Sequence, residues 1–515
     1  MKETFKKVYE NDGIGKLWLV GIFLLFFITR FWKLCSLPSG LHVDEAGMAY
    51  DAWCLATYGV DRYLKSWPVY LTNFGGGQSS LYAFIVAILF KIFGFSKMVI
   101  RIPAIFFSLL TLIFGMKIVK KLFPDNIKFA YIYGSIVVIA PYFIMASRFG
   151  LDCNLMLGMT TVFMYMFISA VETDRAFYYC MAGITGGLAL YTYVLSYLVL
   201  PLFLLLGALY TLRLKKFCFL KWIFMSIPMG LLALPLIMVQ IVNMFDLPEM
   251  QWGIFTITKL AFYRGGELGL PNWTNFATTL ISVFQGDEWI YNSIPGRPVL
   301  YGITNVLFAI GFWQMGHIII EKCIQKEHEL YTYIFSWYIS MIIMGAMTVT
   351  NVNKMNAIYA AHLMIALYGL KTLLDSRSYL KIIFGSVVTA CYLIGFFNFG
   401  TFYYSGEYAA NYEPIDWFND TVSEANAYIL ENEKIRNKPT QMGQRDIYYA
   451  VSALPSPYDY QNGENTAGII CGGLGLIEDT YNYIVEDYWV EYSEELRVAG
   501  FTEKKYNGYS LFYKE

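Results

Sequence analysis

The chain has 515 residues, of which 57% are hydrophobic and only 15% charged, and its net charge is −1. A soluble domain carries roughly 25% charged residues, so most of this chain is solvated by lipid, and no Lys/Arg run is long enough to hold a nucleic-acid backbone. The eight cysteines are scattered without a CxxC pair, which argues against a zinc site, a redox motif or a disulfide framework.

At the N-terminus Lys2, Lys6, Lys7 and Lys16 precede an apolar run from Leu17 to Thr29. The run resembles a signal peptide, but Arg30, Trp32 and Lys33 follow it in place of a small-residue cleavage site, so an uncleaved first span is expected. Runs near the ~20 apolar residues that cross a ~30 Å hydrocarbon core recur as far as residue 402. Expected spans are 17–36, 101–118, 129–147, 153–171, 177–193, 194–212, 220–245, 299–319, 330–349, 355–374 and 382–402. Lipid leaves no partner for backbone polar groups, so these spans are helices. The expected fold is an all-α polytopic membrane protein of about 11 transmembrane helices.

Orientation follows from basic residues. With the N-terminus cytoplasmic, Lys117, Lys120, Lys121 and Lys128 fall inside. So do Arg213, Lys215, Lys216 and Lys221, then Lys322 and Lys326, then Lys371, Arg377 and Lys381. That is the positive-inside pattern of a multi-pass plasma-membrane protein. The segment 79–95 holds ten unbroken apolar residues, Leu81–Phe90, before Lys91, a run more often interfacial than spanning. Were it a span, every later loop would invert. Residues 37–100 are therefore expected to form one long outer loop on the membrane.

A second outer loop, 246–298, is rich in Trp, Tyr, Gly and Pro. Past residue 402 the composition changes, with 19 Asp+Glu against 8 Lys+Arg in 403–515. Short apolar stretches such as Asn482–Tyr488 alternate there with polar helix-like ones such as Asp416–Glu431. A small C-terminal extracytoplasmic α/β domain, 403–515, is expected beyond a transmembrane module, 1–402. No period of 20–50 residues repeats.

The sharpest candidate lies just after the first span, in Gly40-Leu41-His42-Val43-Asp44-Glu45-Ala46-Gly47. Adjacent carboxylates at the membrane surface are costly to desolvate. On a helix Asp44 and Glu45 point about 100° apart and can serve different partners. A carboxylate suits general-base work on an acceptor hydroxyl or metal binding through hard oxygens. The structural alternative makes Asp44 a helix cap with Glu45 in the first turn. In Ser147-Arg148-Phe149-Gly150-Leu151-Asp152, Arg148 and Asp152 are four apart and can simply pair on a helix. The same turn also brings a second carboxylate to the level of Asp44.

Two further outer-face cations are Arg101, and Lys354 within Asn351-Val352-Asn353-Lys354-Met355-Asn356. A lipid-linked phosphate would lie at their depth, where Arg forks two oxygens and Lys acts as a point charge. Each serves equally as an anchor for membrane-lipid headgroups. His362 lies mid-span, as a functional group or as a hydrogen-bonded bridge between helices. Asp287-Glu288 reads as a solvated pair, Gly75-Gly76-Gly77-Gln78 as a flexible bend, and Tyr191-Thr192-Tyr193 as the cap of an outer hairpin with interfacial tyrosines.

The acidic pair after the first span, then "WPVY…GGGQSSLY…FKIFGFSKMVIRIPA", "APYFIMASRFGLDCNLM" and "LALYTY", occur in the order found in bacterial GT-C glycosyltransferases. Over roughly residues 1–400 the chain resembles these relatives of protein O-mannosyltransferases and of the aminoarabinose transferase of lipid A. The resemblance implies a transferase using a dolichyl- or undecaprenyl-phosphate sugar. It maps the presumed catalytic base onto Asp44, its neighbour onto Glu45, the second-loop aspartate onto Asp152, and the arginine of the "RxP"-like motif onto Arg101. The late basic residue, commonly Arg, maps onto Lys354. No counterpart of a metal-binding His is found, which leaves the part of a divalent metal open.

The function expected is inverting transfer of a sugar to an acceptor hydroxyl on a glycan, lipid or protein at the extracytoplasmic face. Asp44 accepts the proton, Arg101 with Arg148 or Lys354 stabilises the leaving phosphate, and Asp152 or Glu45 positions sugar or acceptor hydroxyls. The rival classes are a transporter or channel and a non-catalytic envelope protein displaying 403–515. Against the first, no two halves of the sequence mirror one another. The second gives Asp44 and Asp152 no task.

Overall fold

A computed structural model of the chain describes residues 13–38, 40–215, 217–288, 293–375, 378–408, 422–442, 446–462, 469–470, 474–487, 489–506 and 508–515. Lys2, Lys6, Lys7, Lys216, Arg377, Cys471 and the 416–421 part of the expected helix Asp416–Glu431 lie outside the described residues.

Each expected span meets a helix. In chain order these are Gly13–Phe31, Lys97–Leu122, Lys128–Ile139 followed by Pro141–Met145, Cys153–Thr173, Ala176–Leu190, Ser196–Arg213, Phe219–Met244, Gly302–Gln325, Tyr331–Met347, Ile358–Leu374 and Ser378–Ser405. The expected span 129–147 is broken at Pro141, which lacks the N–H that would continue a helix and so starts a new one at its first position. Among the described residues, six helices are long and apolar enough to cross a membrane. The segment 81–93 is a helix of 13 residues. At 1.5 Å per residue it reaches about 20 Å, short of a ~30 Å hydrocarbon core.

Burial separates centre from edge. Helix Cys153–Thr173 buries 83% of its apolar window, whereas the last long helix buries 11% and leaves the rest to lipid. Helix Ile358–Leu374 is buried from Ile358 to Leu370. At one end of this bundle Lys121 pairs with Glu172, Lys221 pairs with Asp174 and Tyr331 donates to the Leu122 carbonyl. The expected inner basic groups therefore gather at one end, and the candidate residues lie at the other.

There the first outer loop forms the helix Val43–Tyr58 and a small hairpin, Tyr70–Leu71 against Gln78–Ser79. The C-terminal segment carries a five-stranded sheet, ordered Ile469–Ile470, Thr440–Met442, Asn482–Glu486, Tyr509–Tyr513, Thr502–Lys505. Its first three strands are parallel and the last two pairings antiparallel. It joins the first loop through Tyr50, whose hydroxyl donates to the Pro455 carbonyl at 2.8 Å, and through Gln461, which donates to the Arg62 carbonyl at 2.7 Å.

Candidate active site

The helix Val43–Tyr58 starts without help from the Asp44 side chain. His42 takes the cap: its Nδ1 accepts from Asp44 N at 3.1 Å, and its own N–H donates to Glu45 Oε2 at 3.2 Å. This reciprocal capping box satisfies two orphan donors of the first turn. The capping alternative for Asp44 is thereby replaced by a His42–Glu45 cap, and the Asp44 carboxylate, 3.8 Å from His42 Nδ1, takes no part in it.

Glu45 and Arg101 form a buried ion pair, with Arg101 Nε 3.0 Å from Oε1 and Nη2 3.2 Å from Oε2. Glu45 also accepts from Gly150 N at 2.8 Å. The remaining Arg101 donors meet the carbonyls of Leu34, Pro38 and Gly40 at 2.8, 3.1 and 2.7 Å. Neither side chain has accessible surface. The chain leaving the first span turns sharply and leaves carbonyls unpaired; a buried guanidinium pairs them, and Glu45 balances its charge. Arg101, expected at the phosphate, and Glu45, expected at a hydroxyl, are here bound to each other and to the backbone as a buried brace.

Arg148 does not pair with Asp152, because residues 146–152 form a turn and not a helix. It donates to the carbonyls of Thr29, Arg30 and Leu37 at 3.1, 2.7 and 2.8 Å, fully buried. Arg30 in turn meets the carbonyls of Val137, Val138 and Phe143. Each arginine covers a helix C-terminus whose exposed carbonyls carry partial negative charge. Arg148, expected near the donor phosphate, is thus placed at a second backbone contact.

Asp44 and Asp152 converge at the level above this brace. Asp44 is set deep among protein atoms, yet 45% of its side chain is accessible, as for a carboxylate on the floor of a recess. Burial pushes its pKa up to about 6, opposed by the positive charges of Arg264 and Arg62. Asp152 accepts from Ser79 N at 3.0 Å and Cys153 N at 2.8 Å. Burial pushes it up to about 7, with the Ser79 N–H opposing and the Asp44 charge adding. The two carboxylates thus feel each other directly.

The opposite wall is cationic. Arg264, in a short 3-10 turn of the second outer loop, forks onto Glu267 with Nη2 3.1 Å from Oε2, and half of its side chain stays accessible. Lys354 Nζ lies 3.8 Å from the same carboxylate and 2.8 Å from the Val349 carbonyl. Burial holds its ammonium below the usual lysine range. Tyr70 and Tyr193 stand between the two walls, within electrostatic reach of both Asp152 and Arg264.

Several expectations change here. The Gly75-Gly76-Gly77 bend is not loose: Gly75 and Gly77 sit at φ 76° and 87°, and a Cβ at either would strike the ring of Phe262 or Tyr70. At Gly76 a Cβ would strike Arg264, so this turn is what lets the arginine lie close. Asp287 is no solvated residue, since it accepts from Val352 N at 2.6 Å and fixes the loop that carries Lys354. His362 is buried and stacks 4.0 Å from Phe308; neither ring nitrogen has a hydrogen-bond partner, so no polar bridge forms. Among the described residues, no three His, Cys, Asp or Glu side chains gather to hold a metal ion.

Arg264, Glu267, Arg62 and Asn73 were not singled out from the sequence, where Gln78 reads only as part of a flexible bend. The signal present was slight: an Arg and a Glu three apart around two glycines, inside an otherwise aromatic outer loop.

A family model described as dolichyl-phosphate-mannose-protein mannosyltransferase matches residues 78–242. No curated protein sequence matches the chain. Among solved structures, ArnT from Cupriavidus metallidurans bound to undecaprenyl phosphate is similar, with a TM-score of 0.62 at 10% identity over 98% of both chains. Apo ArnT from the same organism gives 0.60 at 10% over 97% of both. The oligosaccharyltransferase AglB from Archaeoglobus fulgidus, in complex with an inhibitory peptide and a dolichol-phosphate, gives 0.53 at 11%, covering 97% of this chain and 74% of its own. At such identities the likeness is one of fold. The resemblance to GT-C glycosyltransferases is met by the family model over a third of the chain and by fold along nearly all of it.

Proposed function

We propose that the chain is a membrane glycosyltransferase that moves a sugar from a polyprenyl-phosphate donor to an acceptor hydroxyl on the extracytoplasmic face. The observation that carries this reading is Asp44. It is a carboxylate neither used as a cap nor paired by a close cation, set in a recess with Asp152 on its side and Arg264 and Lys354 across from it. The lipids bound in two proteins of similar fold, undecaprenyl phosphate and dolichol-phosphate, are the carrier part of such a donor, without its sugar.

In this reading the acceptor oxygen attacks the anomeric carbon as its proton passes to Asp44, and the bond from that carbon to the phosphate oxygen breaks. A single in-line displacement inverts the anomeric centre. Charge grows on the leaving phosphate, and Arg264 with Lys354 meets it from positions fixed before reaction. Arg264 can fork two phosphate oxygens once it loosens from Glu267, while Lys354 contributes a point charge. Asp152, held by two backbone N–H groups, orients sugar or acceptor hydroxyls. The 403–515 segment borders the acceptor side, because it rests on the helix that carries Asp44.

Membranes containing the chain, supplied with undecaprenyl-phosphate-linked mannose, glucose, galactose and aminoarabinose, should transfer one of these sugars where control membranes do not. Absence of transfer from every member of a wider polyprenyl-phosphate panel contradicts the reading. The topology is tested separately. In a background freed of its own cysteines, Ser405→Cys should react with an impermeant thiol reagent added outside and Lys117→Cys should not. Labelling of the second from outside would put the recess on the wrong face.

A further inference from the structure

We infer that Asn73, clamped by Arg62, is a positioning residue that ties the two carboxylates of the recess into one frame and keeps Asp44 ready to accept a proton. The inference rests on the reading of Asp44 as the proton acceptor.

The frame is a chain of side chains across the first outer loop. Arg62 Nη2 donates to Asn73 Oδ1, which decides which end of the amide is oxygen. The Nδ2 end must then face the other way, 2.9 Å from Gln78 Oε1 and 3.4 Å from Asp44 Oδ1. Gln78 in turn precedes Ser79, whose N–H donates to Asp152 Oδ2 at 3.0 Å. One oriented amide therefore reaches Asp44 directly and Asp152 through the short Gln78–Ser79 strand.

Arg62 is itself immobilised. Its Nε lies 3.3 Å from Asp51 Oδ1, its N–H donates to the same oxygen at 3.1 Å, and both side chains are buried. The Phe74 ring lies 5.5 Å from its guanidinium carbon, and Gln461 of the C-terminal segment donates to its carbonyl. The helix backbone makes room for the contact. Gly47 is one turn beyond Asp44, and a Cβ there would collide with Asn73 Oδ1 and crowd Arg62 Nη2.

An N–H aimed at a carboxylate favours its charged form. The groups that face Asp44 divide: His42 caps its own helix, Asp152 disfavours the charge, and Arg62 and Arg264 favour it, with Glu267 and Lys354 behind Arg264. Within that balance Asn73 is a neutral donor that reaches both Asp44 and the Gln78–Ser79 strand holding Asp152. The 3.4 Å separation is long for a hydrogen bond, as resting-state contacts of catalytic groups often are.

Infrared difference titration of the purified full chain tests this without a known substrate. With Asp152→Asn as the background throughout, subtracting Asp44→Asn isolates the protonated-carboxyl band of Asp44, whose midpoint should lie at or below about 6. In Asn73→Ala the midpoint should rise by roughly half to one pH unit, because the charged form loses a donor. Gly47→Ala removes no polar group but pushes the Asn73 amide and Arg62 Nη2 from their positions, so in protein that melts like the parent it should move the midpoint the same way. An unchanged midpoint in folded Gly47→Ala and Asn73→Ala overturns the inference alone. Normal sugar transfer by Asp44→Asn overturns both it and the reading on which it rests.

Discussion

Arg101 and Arg148 on one side, and Arg264 and Lys354 on the other, carry the same charge at the same end of the helices but face different things. The first pair is fully buried, and apart from Arg148 Nε its donors meet Glu45 and the carbonyls left by turns and helix ends. The second pair shares one carboxylate, Glu267, and Arg264 keeps half of its side chain accessible. The difference teaches that a cation beside the proposed base is not thereby a ligand for substrate. What counts is whether its donors have anything left to bind. The brace holds the first loop in shape, and the outer-loop cations are the ones that can change partner.

The largest effect should come from cutting the brace. Leaving Glu45 or Arg101 alone in a dry site typically costs about 3–5 kcal/mol. Arg101→Ala and Glu45→Gln should therefore lower the thermal unfolding temperature in detergent and the yield of inserted protein. Arg101→Ala protein that melts like the parent but binds undecaprenyl phosphate poorly would reverse the comparison.

Next in size is Arg264→Ala. A charge-assisted hydrogen bond is worth about 1.5–3 kcal/mol, and half exposure keeps this one near the lower end. Undecaprenyl phosphate should bind roughly tenfold more weakly, by titration of the purified variant, with melting unchanged. Unaltered binding would hand the phosphate role elsewhere.

Lys354 should matter less and in a pH-dependent way. Lys354→Ala should weaken the same binding a few-fold, and Lys354→Arg should preserve it, since a fork replaces a point charge. Burial lowers the ammonium pKa, so binding by the parent should fall as pH rises through a value below the usual lysine range. Lys354→Arg should lose that fall. An alkaline limb that survives in Lys354→Arg assigns the titration to another group.

The contrast between the two cation pairs also marks how far the sequence could be read. Apolar runs located the helices to within a few residues, because lipid permits little else for a long unbroken run. The acidic pair stood out as two charges beside a membrane. Which of the two is available was not legible, since it depends on His42 capping the helix and on Gly150 approaching from 105 positions away. Arg101 and Arg148 announce their charge in sequence but not the carbonyls that absorb it. Arg264 could not be found by spacing, as its neighbours Gly76, Asp44 and Lys354 come from three distant segments.

Sugar transfer by Asp44→Asn, with undecaprenyl-phosphate binding measured on the same purified protein, tests the central claim most directly. The substitution removes one proton acceptor at nearly constant shape and leaves Arg264 and Lys354 in place. Transfer should drop by roughly 100- to 10,000-fold, the usual cost of losing a general base, while lipid-phosphate affinity and melting stay within about twofold of the parent. Transfer at near-parent rates by Asp44→Asn would contradict the account.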